Sequence, residues 1–201
     1  MLLTHKKSGK MIIIDDAKVR QDRMVRRLRM FWRAMDGYTD DAWFVTLTYR
    51  HDVEWSPRDI TKFTNRLWEE KCHAYCWVAE LQPNTGRVHY HLIVFGSRPA
   101  WVMNRWGKGR TQIKKCWSIG YMLKYLWRGK GGEGLPKGAR RFGTGVKKGL
   151  LCRKALYIIG LSKLPAWVAK FCEETTGTLA IKKNGVWFAG NHELENEWRA
   201  W

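Results

Sequence analysis

Two histidines and a glutamate are the residues whose types and spacing best suit chemistry. His89 and His91 lie two positions apart in a run that alternates like a β-strand, and Glu80 lies in a similar run just before it. The turn-forming residues between them, 83–86, predict a hairpin. Counting outward from a four-residue loop places Glu80 directly opposite His89. Because side chains alternate between the faces of a strand, all three then lie on one face.

Two imidazoles and a carboxylate with open coordination positions make a site for a divalent cation. The histidine pair alone is more often a surface feature, and the facing acid is what favours a metal. We therefore predict that Glu80, His89 and His91 bind a divalent metal: Mg²⁺, Mn²⁺ or a transition metal, with Mg²⁺ or Mn²⁺ as the expected cofactor.

Two tyrosines form the second candidate group. In the run Tyr121-Met-Leu-Lys-Tyr125 a helix places both rings on one side, one turn apart, with Lys124 beside them. Such a pair is usually structural when it stands alone. Beside a metal and among basic residues, a tyrosinate can attack a phosphodiester, which forms a covalent protein–DNA bond and frees a sugar hydroxyl. The metal would polarise the phosphate and Lys124 would offset the developing charge.

A sheet and its helices must hold these groups. Hydrophobic periodicity, caps and turn residues predict helices over 16–36, 57–71, 100–106, 118–128 and 162–174, strands over 43–49, 75–81, 88–95 and 111–117, and a hairpin of 178–181 with 186–189. The glycine-rich, basic residues 129–149 are predicted to be flexible. The order predicts an α+β fold with an antiparallel sheet flanked by helices. We predict one domain over 1–150 and a C-terminal extension of helix and hairpin over 151–201, packed on the same domain.

The charge points to a polyanionic partner. The 201 residues carry 37 Lys and Arg against 18 Asp and Glu, a net charge of +19. Residues 101–150 hold 13 of these cations and a single acid, so +12 of the excess is concentrated there. Nucleic acid is the usual partner of such a chain, and the 13 Trp suit stacking on exposed bases. The helix 16–36 adds a basic face, either simply solvated or tracking phosphates.

Several classes are excluded or disfavoured. The apolar run 11–14 is too short for a signal segment or a membrane span, and five scattered cysteines suit a reducing cytosol, so we expect a cytoplasmic protein without membrane contact. The spacing of Cys72 and Cys76 hints at zinc, but ordinary burial explains it better. No G-x-x-x-x-G-K-[ST] run marks an ATPase or helicase.

Three motifs occur in the order and spacing of the HUH endonuclease superfamily. They are Phe44-Val-Thr-Leu-Thr-Tyr49, Glu80 with His89-Tyr-His91, and Tyr121-Met-Leu-Lys-Tyr125. Over residues 16–150 the chain resembles replication initiator proteins of single-stranded DNA phages and rolling-circle plasmids. Such proteins also tend to carry a basic helix before the first motif and a run like Arg140-Arg-Phe-Gly143 after the third.

The resemblance implies an RRM-like topology and an enzyme that nicks single-stranded DNA at a replication origin, holds the 5′ phosphate on tyrosine, leaves a 3′ hydroxyl to prime synthesis and later rejoins the strand. It implies Glu80, His89 and His91 as metal ligands, Tyr121 as the nucleophile and Lys124 as its partner. Tyr125 performs the second transfer in two-tyrosine members and is structural otherwise. A host helicase and polymerase are the expected partners. Further candidates for DNA contact are Thr46, Thr48, Tyr49 and Arg128. Thr46 and Thr48 share one side of the first strand, so they could instead support the active site or pack at the edge of the core.

Two other hypotheses about the function remain open. A transposase or relaxase could use the same site, although these usually place the nucleophile elsewhere relative to the histidine pair. A non-catalytic RRM-like nucleic-acid-binding protein would use aromatic platforms and basic loops and would need no metal.

Overall fold

The structure is a computed structural model. It describes residues 2–5, 11–13, 16–69, 72–96, 105–128, 134–147, 149, 153–176, 179, 181–183, 186–189, 192–194 and 198–200. The chain forms two compact units, residues 1–34 with 153–201 and residues 35–152. Within the part described, no helix combines the length and the apolar character needed to cross a membrane.

The first unit combines helices with two small antiparallel sheets. One sheet joins β1 (Leu2–His5), β2 (Met11–Ile13) and β11 (Trp198–Ala200); the other joins β8 (Ile181–Lys183), β9 (Val186–Ala189) and β10 (His192–Leu194). Its helices are α1 (Asp16–Ala34), α4 (Arg153–Lys163) and α5 (Ala166–Phe171), the last continued by a π-helical turn, Cys172–Thr176. The pairing of β8 with β9 confirms the predicted hairpin, while residues 178 and 180 lie outside the described residues.

The predicted helix 162–174 is wrong in its bounds. α4 begins nine residues earlier, at Arg153, and ends at Lys163, and α5 begins only after Pro165. Proline lacks a backbone N–H and restrains the residue before it to extended conformations, so it separates two helices here.

One arginine of α1, Arg26, is not simply solvated but hydrogen-bonds to backbone carbonyls near the end of α4. Arg26 donates hydrogen bonds to the carbonyls of Leu161, at 3.4 Å, and Ser162, at 3.1 Å, and also to that of Leu164. These carbonyls lie at and just beyond the end of α4, where backbone acceptors run short of helical partners, although that of Leu161 also accepts the Leu164 N–H at 3.1 Å. α1 therefore packs with the segment that follows residue 152, although the sequence grouped it with residues 1–150.

In the second unit, five described strands form one antiparallel sheet. They are β3 (Ala42–Tyr49), β4 (Cys72–Leu81), β5 (Val88–Gly96), β6 (Gly109–Lys115) and β7 (Phe142–Val146), in the spatial order β6-β3-β5-β4-β7. In the described part of this unit, the sheet is accompanied by the helices α2 (Asp59–Glu69) and α3 (Gly120–Arg128). This arrangement confirms the predicted α+β fold and is consistent with RRM-like topology. Of the predicted helix 100–106, residues 100–104 lie outside the described residues.

The pleat divides this sheet into two faces. We call one the core face: it buries Leu47, Trp77, Tyr90 and Leu92 with the apolar side of α2. The side chains that alternate with these, among them Glu80, His89 and His91, lie on the other, the site face. Consecutive residues of one strand thus serve separate purposes.

The edge strand β7 corrects a prediction. Residues 142–146 belong to the segment expected to be flexible, yet they pair with β4. Glycine makes this possible, because a Cβ at Gly143 would lie 2.5 Å from the ring of Trp77, and a Cβ at Gly145 would lie 2.5 Å from that of Tyr75. The rings of Trp77 and Tyr75 therefore require glycine at these two positions of β7. Residues 129–133 of the same segment lie outside the described residues.

Candidate active site

The β4–β5 hairpin has the predicted register. Gln82 donates its backbone N–H to the carbonyl of Arg87 at 2.8 Å, and Glu80 pairs with His89. Strand β3 lies on the other side of β5 and aligns Thr48 with His89 and Thr46 with His91. The spacing counted from the turn therefore brings the acid and both histidines together, as expected.

Glu80, His91 and Thr46 form a hydrogen-bonded chain. His91 Nε2 lies 2.8 Å from Glu80 Oε1, and His91 Nδ1 lies 3.2 Å from Thr46 Oγ1. The side chains of His91 and Glu80 are only 5% and 12% exposed. A hydroxyl both donates and accepts, so Thr46 can hold this ring whether Nε2 carries a proton or a metal. Support of the active site was one of the roles that the sequence left open for Thr46, and this contact favours it over packing at the edge of the core.

His89 is buried but incompletely satisfied. Its ring centroid lies 6.4 Å from that of His91, and its Nε2 has no hydrogen-bond partner among the described residues. Burial lowers the pKa of His89 below its usual value, His91 acts in the same direction, and the carboxylate of Glu80 opposes both. A buried nitrogen in neutral imidazole, with a free lone pair, is a suitable metal donor.

The chemistry of these donors fits a divalent metal. Neighbouring ligand atoms of an octahedral Mg²⁺ at about 2.1 Å lie about 3 Å apart, close to the 2.8 Å between His91 Nε2 and Glu80 Oε1. His89 offers a third, unpartnered nitrogen. In the described part of the chain, no three His, Cys, Asp or Glu side chains are already grouped as a metal cluster. The predicted ligands are thus neighbours whose donors would have to converge on the ion.

Helix α3 brings both tyrosines to the site face. The Tyr125 ring stacks on the His91 imidazole, with centroids 3.5 Å apart and an interplanar angle of 15°. Phe44 contacts both tyrosines, with centroids 5.7 Å from each. Tyr121 is the more open of the pair, at 37% exposed. The helix therefore holds one tyrosine against a predicted metal ligand and the other at the rim, one turn away.

Two cations accompany the helix. Lys124 Nζ lies 4.8 Å from the ring centroid of Tyr125 and 5.9 Å from that of Tyr121. Arg141, just before β7, donates to the carbonyl of Leu126 at 2.9 Å and so holds the end of α3. Burial lowers the pKa of Arg141 and the charge of Glu80 raises it, which places positive charge close to the predicted metal ligands.

Strand β6 carries a row of polar side chains that was not predicted from the sequence. Register extends the line Glu80–His89–Thr48 to Arg110, and it pairs Gln112 with Thr46. Arg110, Gln112 and Lys114 are exposed and share the site face. Their alternation with Thr111, Ile113 and Lys115 was a detectable period-two signal. They extend the candidate site with positive charge where a phosphate backbone could run.

Not every predicted contact residue joins the site. Tyr49 lies on the core face, 4% exposed, and donates its hydroxyl to Asp59 Oδ2 at 3.2 Å. A side chain so enclosed cannot reach DNA without leaving the core, so its predicted contact is wrong. Thr48 lies on the site face beside His89. Arg128 ends α3, and its side chain lies outside the described part of the structure.

Cys72 and Cys76 are structural in character. Cys72 and Cys76 lie buried in β4, and burial raises the pKa of the Cys72 thiol to about 12. A thiol that resists deprotonation is a poor zinc ligand until the metal itself removes the proton. This is consistent with ordinary burial as the reason for the Cys72 and Cys76 spacing.

Comparison with known proteins adds one match. Residues 42–130 match the model of a family of replication-associated proteins of the ORF2 type. The matched range runs from β3 through α3 and contains Glu80, both histidines and both tyrosines. No curated protein and no solved structure matches the chain. The similarity supports a replication initiator of the Rep type and, with it, a DNA partner.

Proposed function

We propose that this protein is an HUH-type endonuclease that nicks and rejoins single-stranded DNA at a replication origin, and thereby initiates rolling-circle replication. The observation that carries the proposal is the stacking of Tyr125 on His91, 3.5 Å apart, which ties the tyrosine helix to the Glu80–His91 pair. The family match over residues 42–130 supplies the replication context. Host helicase and polymerase would act downstream.

In the proposed reaction the hydroxyl of Tyr121 loses its proton and its oxygen attacks the phosphorus of the scissile phosphodiester. The bond from phosphorus to the 3′ oxygen breaks, and that oxygen takes up a proton to leave a free 3′ hydroxyl. The 5′ phosphate stays on the tyrosine. Lys124, near both rings, would offset the negative charge of the phenolate and of the phosphate in the transition state. Tyr125 would accept the second transfer.

His89, His91 and Glu80 would hold the divalent metal. When bound, Mg²⁺ or Mn²⁺ would polarise the scissile phosphate and neutralise part of its charge. Thr46 would keep the His91 ring oriented through Nδ1, as its 3.2 Å contact allows. Arg110 and Lys114 would track the phosphates of the strand across the site face.

The decisive experiment is adduct formation on single-stranded DNA from the replicon's own origin, with Mn²⁺ or Mg²⁺ and then with chelator, resolved on denaturing gels. We expect a covalent protein–DNA species that requires metal and is lost in Tyr121→Phe, at least about 1000-fold below the parent, because the nucleophile is removed. Tyr125→Phe is expected to keep nicking and to lose the second transfer.

Tyr90→Phe is the matched control, since Tyr90 is a tyrosine of the same sheet on the core face. It should form the adduct at the parent's level. An adduct that survives Tyr121→Phe would reassign the nucleophile to Tyr125 if the double variant loses it. An adduct indifferent to both substitutions would overturn the proposed chemistry.

A second candidate function is a non-catalytic single-stranded nucleic-acid-binding protein. The direct hydrogen bond between His91 and Glu80 favours it, because this pair is satisfied without a metal. Tight binding that ignores chelator, with no adduct on any origin strand, would establish that function instead.

A further inference from the structure

Trp117 is an indole in an unusual position. At 72% exposed it is the most open of the large apolar side chains described, although single exposed apolar residues are common. Its surroundings distinguish it: Lys115 Nζ lies 5.7 Å from its ring centroid, within cation–π range. The ring thus presents a flat surface next to an ammonium group.

The backbone around Trp117 is held at both ends. Cys116 donates its N–H to the carbonyl of Ala42 at 2.9 Å, which continues the ladder beyond β6. Met122 donates to the carbonyl of Ile119 at 2.9 Å, which opens α3. Because the backbone on both sides of Trp117 is hydrogen-bonded, the residue loses little conformational freedom on binding, which favours affinity.

The position and charge specify the occupant. Trp117 precedes Tyr121 by four residues, so their Cα atoms lie at most about 15 Å apart by chain length alone. Residues 105–128 carry seven Lys and Arg and no Asp or Glu. Two exposed acids, Asp40 and Asp41, also lie at this edge, because Lys115 bonds the carbonyl of Asp40. Since the cations of 105–128 outnumber them, an aromatic plane here suits a polyanion with exposed bases better than an apolar protein partner.

We propose that Trp117, assisted by Lys115, is a stacking platform for an unpaired base of the DNA strand that the tyrosine helix engages. The proposal rests on the proposed function for the identity of the strand. It adds a binding subsite at the edge of the sheet, where Lys115 lies on the core-face side of β6 and the chain passes on to α3, which brings the tyrosines to the site face. Lys115 Nζ also lies 4.6 Å from the ring of Trp43 and bonds the carbonyl of Asp40, so its position is set by the protein. Stacking tolerates any base, which suits a subsite that holds the strand.

The test measures binding without cleavage. A fluorescein-labelled oligo(dT) is titrated with the full chain in chelator and low salt, and anisotropy gives the affinity. Alanine substitution of a stacking aromatic weakens binding by about 5- to 150-fold, and we expect a loss in that range for Trp117→Ala, with partial retention in Trp117→Phe. Leu156→Ala, a change at another exposed apolar residue, should leave the affinity unchanged.

An abasic scan makes the test specific. The scan uses a strand from the replicon's origin, whose sequence fixes the register of binding. Removing one base should weaken binding to the parent at one position and have no further effect on Trp117→Ala. Equal affinities for parent and Trp117→Ala, or additive losses at every abasic position, would overturn the platform. A loss of self-association by sedimentation without a change in DNA affinity would do so as well. Adduct formation is scored separately. Stacking by Trp117 without an adduct would refute the nuclease and keep the stacking platform. An adduct without any effect of Trp117→Ala on binding would keep the nuclease and refute the platform.

Discussion

The two faces of the five-stranded sheet are built from the same strands but differ in their chemistry: one packs against α2, and the other carries the candidate site. On the core face Trp77, Tyr90 and Leu92 are at most 2% exposed and pack with α2. The site face carries one carboxylate, two imidazoles and two hydroxyls. Hydrogen bonds join Glu80, His91 and Thr46, while Nε2 of His89 has no partner among the described residues. The core face is lined by apolar side chains, whereas the site face combines buried apolar residues such as Val78 and Ile93 with polar groups whose chemistry needs a partner.

The difference shows how a small sheet can carry a reactive site without losing its fold. Because side chains alternate, a change at one position affects one face and leaves the other nearly intact. Paired substitutions at neighbouring positions therefore separate the two roles.

The largest contrast is expected between Leu92→Ala and Glu80→Gln. Leu92 is fully buried, and truncation should lower the free energy of unfolding by about 2–5 kcal/mol because it leaves a cavity. Glu80→Gln keeps the shape and a hydrogen-bonding oxygen for His91, so stability should change by less than about 1 kcal/mol, while metal-dependent adduct formation is lost. Urea denaturation and the adduct gel measure the two effects. Equal loss of stability in both variants would refute the division of roles.

The edge strand offers a smaller contrast. Gly143→Ala places a Cβ 2.5 Å from the Trp77 ring, so the ring or β7 must shift. Overpacking of this kind costs about 1–3 kcal/mol, and hydrogen exchange should show faster opening of residues 142–146. Thr144→Ala, exposed on the site face of the same strand, should change stability by less than about 0.5 kcal/mol. An unchanged free energy of unfolding in Gly143→Ala would show that the Trp77 ring does not pack closely against β7.

The smallest contrast compares two hydrogen bonds. Tyr90→Phe removes the bond that Trp55 Nε1 donates to the Tyr90 hydroxyl at 2.9 Å, and should cost about 1 kcal/mol of stability with no loss of adduct. Thr46→Val removes the contact that orients His91, and should reduce metal affinity and adduct yield about 10-fold or more while stability changes little. Calorimetry with Mn²⁺ and thermal denaturation separate the two. An unchanged metal affinity in Thr46→Val would remove the positioning role assigned to Thr46.

Much of the site could be predicted because its pattern is local. The hairpin register follows from the loop length, so Glu80 and His89 could be paired without a structure. The helical spacing of Tyr121 and Tyr125 is likewise local, and the structure brings this helix to the histidines. Tyr49 was misjudged although the alternation of β3 already places it on the face opposite Thr46 and Thr48, where its hydroxyl donates to Asp59.

By itself the sequence determined the period-two alternation of the strands, the clustering of acid and imidazoles on one face, and the +12 charge around the tyrosine helix. These depend on residues close together in the chain, where pleat and helix geometry leave few choices. The tertiary structure decided that a glycine-rich segment becomes β7, that α1 packs with α4, and that Tyr125 rather than Tyr121 stacks on His91. Each of these depends on a partner distant in the chain, such as the Trp77 ring over Gly143, and no local periodicity encodes such a partner.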